Sequence, residues 1–167
     1  MPHAIRIHQT GGPEVLRWEE VDVPAPAAGE ATVRHHAVGL NFIDTYHRTG
    51  LYPLPLPAGI GLEGAGVVEA VGAGVSEVKV GDRVAYAGGP VGAYAEARNI
   101  PAHRLLQLPA AISFETGAAM MLQGLTAAYL LRKTYRVQPG DAVLIHAAAG
   151  GVGLIATQWA RALGATV

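Results

Sequence analysis

The residues whose types and spacing best suit chemistry lie near the end of the chain, in VLIHAAAGGVGLIATQWARALGATV over 143–167. Ala148, Gly150 and Gly153 keep the G-x-G-x-x-G spacing, with Ala in the first place. Small residues at those positions let a backbone turn tightly and approach a pyrophosphate. The free N–H groups of a following helix then face the anion, backed by a dipole worth about half a positive charge. The other reading of the same residues is a plain strand-to-helix turn whose glycines serve close packing. Gly64-Ala65-Gly66 begins the same pattern and fails at Glu69, and it lies between predicted strands, so it reads as a turn or bulge.

A phosphate cradle needs a strand before it and a helix after it. The apolar run from Ala142 to Ile145 predicts a fully buried strand of a parallel sheet. GVGLIATQWARALG predicts a helix with Gly164 closing its C-terminus. Further upstream, Ser113 predicts an N-cap, and Ala118, Met121, Leu122, Leu125, Tyr129 and Leu130 recur at helical spacing. The first 110 or so residues read differently. Short alternating or β-branched runs, HAIRIHQ, EATVRHHAVGL, GAGVVEAVGAGV and RVAYAG among them, are separated by glycine and proline turns. That pattern predicts a Greek-key or partly open β-barrel. Two parts follow: residues 1–125 as a β-rich domain and 126–167 as the first βα unit of a dinucleotide-binding domain.

Bulk composition removes several functional classes. Half of the 167 residues are hydrophobic, 15% are charged and the net charge is −1. Such a chain folds as a globular protein and has no field with which to recruit nucleic acid. No apolar run approaches the roughly 20 residues of a membrane span, so no membrane role is expected. With no cysteine, disulfides and thiolate zinc sites cannot form. The start, MPHAIRIHQTGG, lacks a secretory pattern, and a cytoplasmic location is expected.

The run Gly140-Asp141, Leu144, Ala148-Ala149-Gly150-Gly151-Val152-Gly153, Gln158 and Arg161 resembles the quinone oxidoreductase signature of the medium-chain dehydrogenase/reductase superfamily. GLEGAGVVEAVGAGVSEVKVGDRVAY, GLNFIDTYHRTGLYP and AAMMLQGLTAAYLL are similar to other blocks of that family, in the same order. The resemblance implies a GroES-like β-rich domain followed by the start of an α/β Rossmann domain, the N-terminal half of a longer enzyme. It implies NADP(H) as cofactor, a quinone as the small-molecule partner and a homodimer in the full-length form. Zinc members of the superfamily carry Cys and His where this chain has Asn41 and Leu62. An amide and an isobutyl group cannot replace a thiolate and an imidazole on zinc, so a metal-free, zeta-crystallin-like member is expected.

The resemblance also implies a site. Asn41, Tyr46 and Tyr52 would surround the nicotinamide and substrate, Gln123 and Thr126 would lie near its ribose and amide, and Ala149, Gly150, Gly151, Val152 and Gly153 would hold the pyrophosphate. Asn41 and Gln123 can pair with a carboxamide through both donor and acceptor. The tyrosines offer an O–H to a developing oxyanion and an aromatic wall to a flat ring. Each residue also has a structural reading: Tyr52 packing on prolines, Tyr46 bonding to Asp44, Glu63 paired with an arginine, His47–Gly50 as a helix end. The residue that selects NAD or NADP lies about 20 positions past the glycines, beyond Val167. Alternatives to quinone reduction are an enoyl-thioester reductase and a non-enzymatic, crystallin-like protein. This length alone is expected to be inactive.

Overall fold

A computed structural model describes residues 1–167. The chain forms two compact units, Met1–Ala119 and Met120–Val167.

Antiparallel strands build the first unit: β1 (His3–Ile7), β2 (Arg17–Glu20), β3 (Glu30–Gly39), β4 (Ala58–Gly59), β5 (Glu63–Val71), β6 (Arg83–Ala87), β7 (Ala97–Pro101) and β8 (Leu106–Gln107). They pair as a three-stranded sheet, β2-β1-β4, and a five-stranded sheet, β7-β3-β5-β6-β8. Strands β1, β3, β5 and β6 fall where the short alternating or β-branched runs placed them. Val33, Val68, Val84, Tyr86 and Ile100 turn inward and form the main core, while Ile7, Val15, Ala58 and Ile60 form a smaller one. A lone bridge from Ala4 to Ala95 links the two sheets. The β3–β5 register shifts between His35 and Ala37, facing the Gly64–Gly66 stretch, so those glycines sit beside a β-bulge.

Helix α1 (Phe42–Thr49) was not evident from hydrophobic spacing. Its buried residues are Asp44 and His47, not an apolar stripe. What starts it is Asn41 in extended conformation, with the Asp44 carboxylate accepting the Asn41 N–H. Gly50, at φ 82°, ends it in the left-handed region.

Helix α2 (Phe114–Tyr129) starts where expected: Ser113 Oγ accepts the Thr116 N–H at 3.1 Å. Leu130–Thr134 continue as a wide π-type turn. The second unit also contains helix α3 (Gly151–Ala162). Gly164 and Ala165 close α3 in a Schellman arrangement, their N–H groups donating to Arg161 and Ala160. Ala127, Leu131, Val137, Ala156 and Ala160 are its buried core.

The buried strand predicted at 142–145 is corrected by the structure. Only Ala142 pairs, in a single parallel bridge with Thr166. Val143 and Ile145 pack on the α3 core, but Leu144 is 84% exposed. An extended segment sends alternate side chains to opposite faces, and here only one face finds apolar neighbours.

Candidate active site

In the first unit the expected residues gather around α1. Asn41 is its N-cap and is buried. The Asn41 side-chain N–H₂ donates to Glu63 Oε2 at 2.6 Å, fixing which end of the amide is which. Glu63 is only 1% exposed. It fits because Gly39 has no side chain: a Cβ there would come within 2.8 Å of the Glu63 carboxyl carbon. The sequence suggested an arginine partner for Glu63; the hydrogen bond seen here is to Asn41.

Tyr46 and Tyr52 come together, their rings edge-on with centroids 5.2 Å apart. Phe42 meets Tyr46 edge-on at 5.3 Å, and the Tyr52 N–H donates to the Tyr46 carbonyl. Phe42 and Tyr52 are exposed, as are Leu40 and Leu51 nearby in the chain. This is an aromatic surface with two phenol groups. Asp44 is not the partner of Tyr46: its Oδ2 accepts from Asn41 N–H at 2.9 Å and from Tyr94 O–H at 2.7 Å. Sequence reasoning missed Tyr94 and the role of Asp44. The signal available was Asn41 followed three residues later by an acid, a helix-start pattern.

Leu62, at the position where zinc members carry histidine, is a buried core residue. No three His, Asp or Glu side chains gather as a metal site. The adjacent histidines of β3 diverge as a strand requires. His35 turns inward, Nδ1 donating to the Ala95 carbonyl at 2.6 Å and Nε2 accepting from Tyr86 O–H at 2.8 Å. Burial lowers its pKa from 6.5 to about 4, so the ring is neutral. Exposed His36 stacks on Phe114, with centroids 4.4 Å apart.

In the second unit the glycine turn leads into α3. Gly150 is the N-cap, in extended conformation, and no side chain caps the helix. The first N–H groups of a helix have no partner within it. Ala147, at φ 53°, bends the chain, and the Gly150 N–H donates to its carbonyl at 2.9 Å. A Cβ on Gly153 would lie 2.7 Å from Ala148 Cα, so the third glycine is required by the turn itself. Gly151 makes room for a side chain: the Gln123 carboxamide lies against it, and a Cβ would sit 2.6 Å from Nε2. Gln123 is thus brought to the glycine turn. Thr126 instead donates its hydroxyl to the Leu122 carbonyl at 2.7 Å, one turn back on α2. Ala149 and Gly150 are exposed and Val152 packs on the core.

Residues 27–110 match the alcohol dehydrogenase GroES-like domain family. The chain belongs to that family. It is also 56% identical over 165 residues to a quinone oxidoreductase of Pseudomonas aeruginosa, covering 98% of this chain and 51% of that protein. A 2-haloacrylate reductase of Burkholderia sp is 49% identical over 174 residues, covering 100% of this chain and 52% of the relative. Among solved structures, the Escherichia coli quinone oxidoreductase complexed with NADPH superposes with a TM-score of 0.95 at 57% identity, over 98% of this chain and 50% of the other. These likenesses are those expected of a medium-chain dehydrogenase/reductase, and the relatives they reach are quinone oxidoreductases and a 2-haloacrylate reductase. The chain spans about half the length of the curated relatives it matches. No helix is long and apolar enough to cross a membrane.

Proposed function

We propose that this chain is the GroES-like part and the opening of the dinucleotide-binding part of an NADPH-dependent quinone reductase that works without a metal. The observation that carries the reading is the side-chain-free start of α3, behind a turn that Gly153 alone permits. The relatives named above and the NADPH in the Escherichia coli structure support the choice of cofactor and acceptor.

The residues present fit a dinucleotide. Gly151, Val152 and Gly153 leave backbone N–H groups and a positive dipole end for a pyrophosphate, and Gly150, whose own N–H is held by the Ala147 carbonyl, adds no side chain to the approach. Ala149 adds only a methyl group to the approach. Gln123, held over Gly151, offers both halves of a carboxamide to the cofactor. Bound NADPH supplies the hydride. Asn41 is a pre-oriented amide: one N–H is held on Glu63, which fixes the direction in which the rest of the amide meets the nicotinamide or the substrate. Tyr46 and Tyr52 present phenol O–H groups and ring edges to a flat acceptor. Quinone reduction asks little acid catalysis, because the product is an aromatic hydroquinone, so orientation and a few donors suffice.

The test uses the full-length protein that carries this chain. Tyr46→Phe and Tyr52→Phe together are expected to lower kcat/KM for benzoquinone about tenfold, the scale of a lost transition-state hydrogen bond, with NADPH affinity retained. Unchanged kcat/KM removes both tyrosines from the mechanism. A second reading, reduction of a carbon–carbon double bond conjugated to a carboxyl or thioester, is favoured by the likeness to the 2-haloacrylate reductase. Rates on benzoquinone, a naphthoquinone and a crotonyl thioester separate the two.

A further inference from the structure

We infer that Tyr94 is a positioning residue, its hydroxyl acting through Asp44 to hold the backbone of Asn41 and the first turn of α1 in place for the reaction. The inference rests on the reading of Asn41 given above and extends it to two residues outside the expected site.

Tyr94 is fixed in the β-rich unit on several sides. Its N–H donates to the Ile60 carbonyl at 3.0 Å and its carbonyl accepts from Ile5 N–H at 2.7 Å. Its ring lies over Gly61, where a Cβ would come within 2.7 Å of Cε1. From this platform the hydroxyl donates to Asp44 Oδ2, which in turn accepts the Asn41 N–H. Asp44 is 4% exposed and its Oδ1 has no hydrogen-bond partner. The Asn41 N–H and the Tyr94 O–H thus converge on one oxygen of this carboxylate. Removing one leaves a buried polar group poorly held, which is costlier than losing a surface contact. Burial and the nearby Asp44 and Glu63 carboxylates raise the Tyr94 pKa, so the phenol stays a donor.

The geometry separates two tasks at one residue. Glu63 orients the Asn41 side chain; Tyr94 and Asp44 fix the backbone that carries it. The far end of α1 has its own tie, with Arg48 Nε donating to the Gly11 carbonyl at 3.2 Å and Gly11 N–H to the Arg48 carbonyl at 3.1 Å. Loss of the Tyr94 hydroxyl therefore frees the starting turn of α1, where Asn41 sits, while the helix stays attached.

The deciding experiment is a double-mutant cycle in the full-length protein, with NADPH-dependent reduction of benzoquinone as the rate and exchange of the Asn41 amide proton as a structural readout. Tyr94→Phe is expected to lower kcat about fivefold with KM changed less than about twofold, as misplacement without lost contact predicts. Asn41→Ala is expected to lower kcat more, and the double variant no further. Exchange at the Asn41 N–H should quicken in Tyr94→Phe while β5 amides keep their protection. An impaired Asn41→Ala beside a silent Tyr94→Phe, or losses that simply add, overturns the inference and leaves the proposed function standing. An unimpaired Asn41→Ala overturns both the role of Asn41 and this inference. Should Tyr94→Phe fail to fold, Asp44→Asn takes its place: its amide oxygen still accepts, so a smaller loss is expected, again without addition to Asn41→Ala.

Discussion

The two units prepare for chemistry by opposite means. Around α1, side chains grip one another: Tyr94 holds Asp44, Asp44 holds the Asn41 backbone, and Glu63 holds the Asn41 amide. At the start of α3 the side chains have been taken away, and the backbone itself is presented. One site is made by adding polar groups and satisfying them in a dry interior. The other is made by leaving Cβ atoms out. The first should be sensitive to removal of a functional group, the second to addition of bulk. Substitutions that cross this division test whether it is real.

The largest effect is expected from bulk in the second unit. In Gly153→Val the new Cβ meets the Ala147 carbonyl and Ala148 Cα, backbone atoms that cannot swing aside. A cost at or above the upper end of overpacking, roughly 3 kcal/mol or more, is expected. Amide exchange should quicken throughout α3 and leave β3 and β5 unchanged. Gly151→Val should be milder for the fold, because the group in its way is the end of the Gln123 side chain. Equal costs at the two glycines would break the argument that the turn, and not the ligand, demands Gly153.

Acid should single out the first unit. His35 is neutral in the folded chain, with its pKa lowered from 6.5 to about 4 by burial. Once unfolded, it binds a proton below about pH 6.5. Between those values the unfolded state holds more protons, so stability is complete above about pH 7 and is lost as pH falls toward 4. The shift corresponds to about 3 kcal/mol. The core of the second unit consists of Ala, Leu and Val and has no such group. Urea midpoints at pH 7.5 and 4.5 should fall less far apart in His35→Gln than in the parent sequence. An identical pH slope in both would show that His35 is not the acid-sensitive element.

This contrast also explains what could be read in advance. Strands β3, β5 and β6 carry their signal locally, in alternation and glycine turns, as do the Ser113 cap and the Gly164 stop. The glycine spacing before α3 is equally local. Helix α1 carries no apolar stripe, since its inward face is Asp44 and His47. Its partners come from far away in the chain: Tyr94 is 50 residues from Asp44 and Glu63 is 22 from Asn41. A buried polar pair has no periodicity to betray it, which is why Tyr94 and the bond between Glu63 and Asn41 escaped notice. The strand expected at 142–145 fails for a related reason. An apolar run states that burial is wanted but not what covers each face, and Leu144 is left exposed.

The smallest effects come from the helix starts and bear most directly on the division between the sites. Helix α2 begins under a side chain, with Ser113 Oγ on the Thr116 N–H, whereas α3 begins bare at Gly150. If the bare start serves a ligand, capping it should help the fold and harm binding. Gly150 is at φ −77° and ψ 169°, a conformation serine adopts freely, and its Cβ would press on the Ala147 carbonyl at 3.2 Å, a tight contact that offsets part of the gain from a cap. Ser113→Ala should cost about 1 kcal/mol, the usual worth of a cap. Gly150→Ser should gain a few tenths of a kcal/mol by capping α3, since glycine is already the next-best residue there. In the full-length protein the same serine should weaken NADPH several-fold, because its hydroxyl takes the N–H groups and the space offered to the pyrophosphate. Stability and affinity moving in opposite directions is the signature of a helix start kept bare for an anion. If both rise together, Gly150 is there for the turn alone, and the two ends of this chain differ only in how they pack.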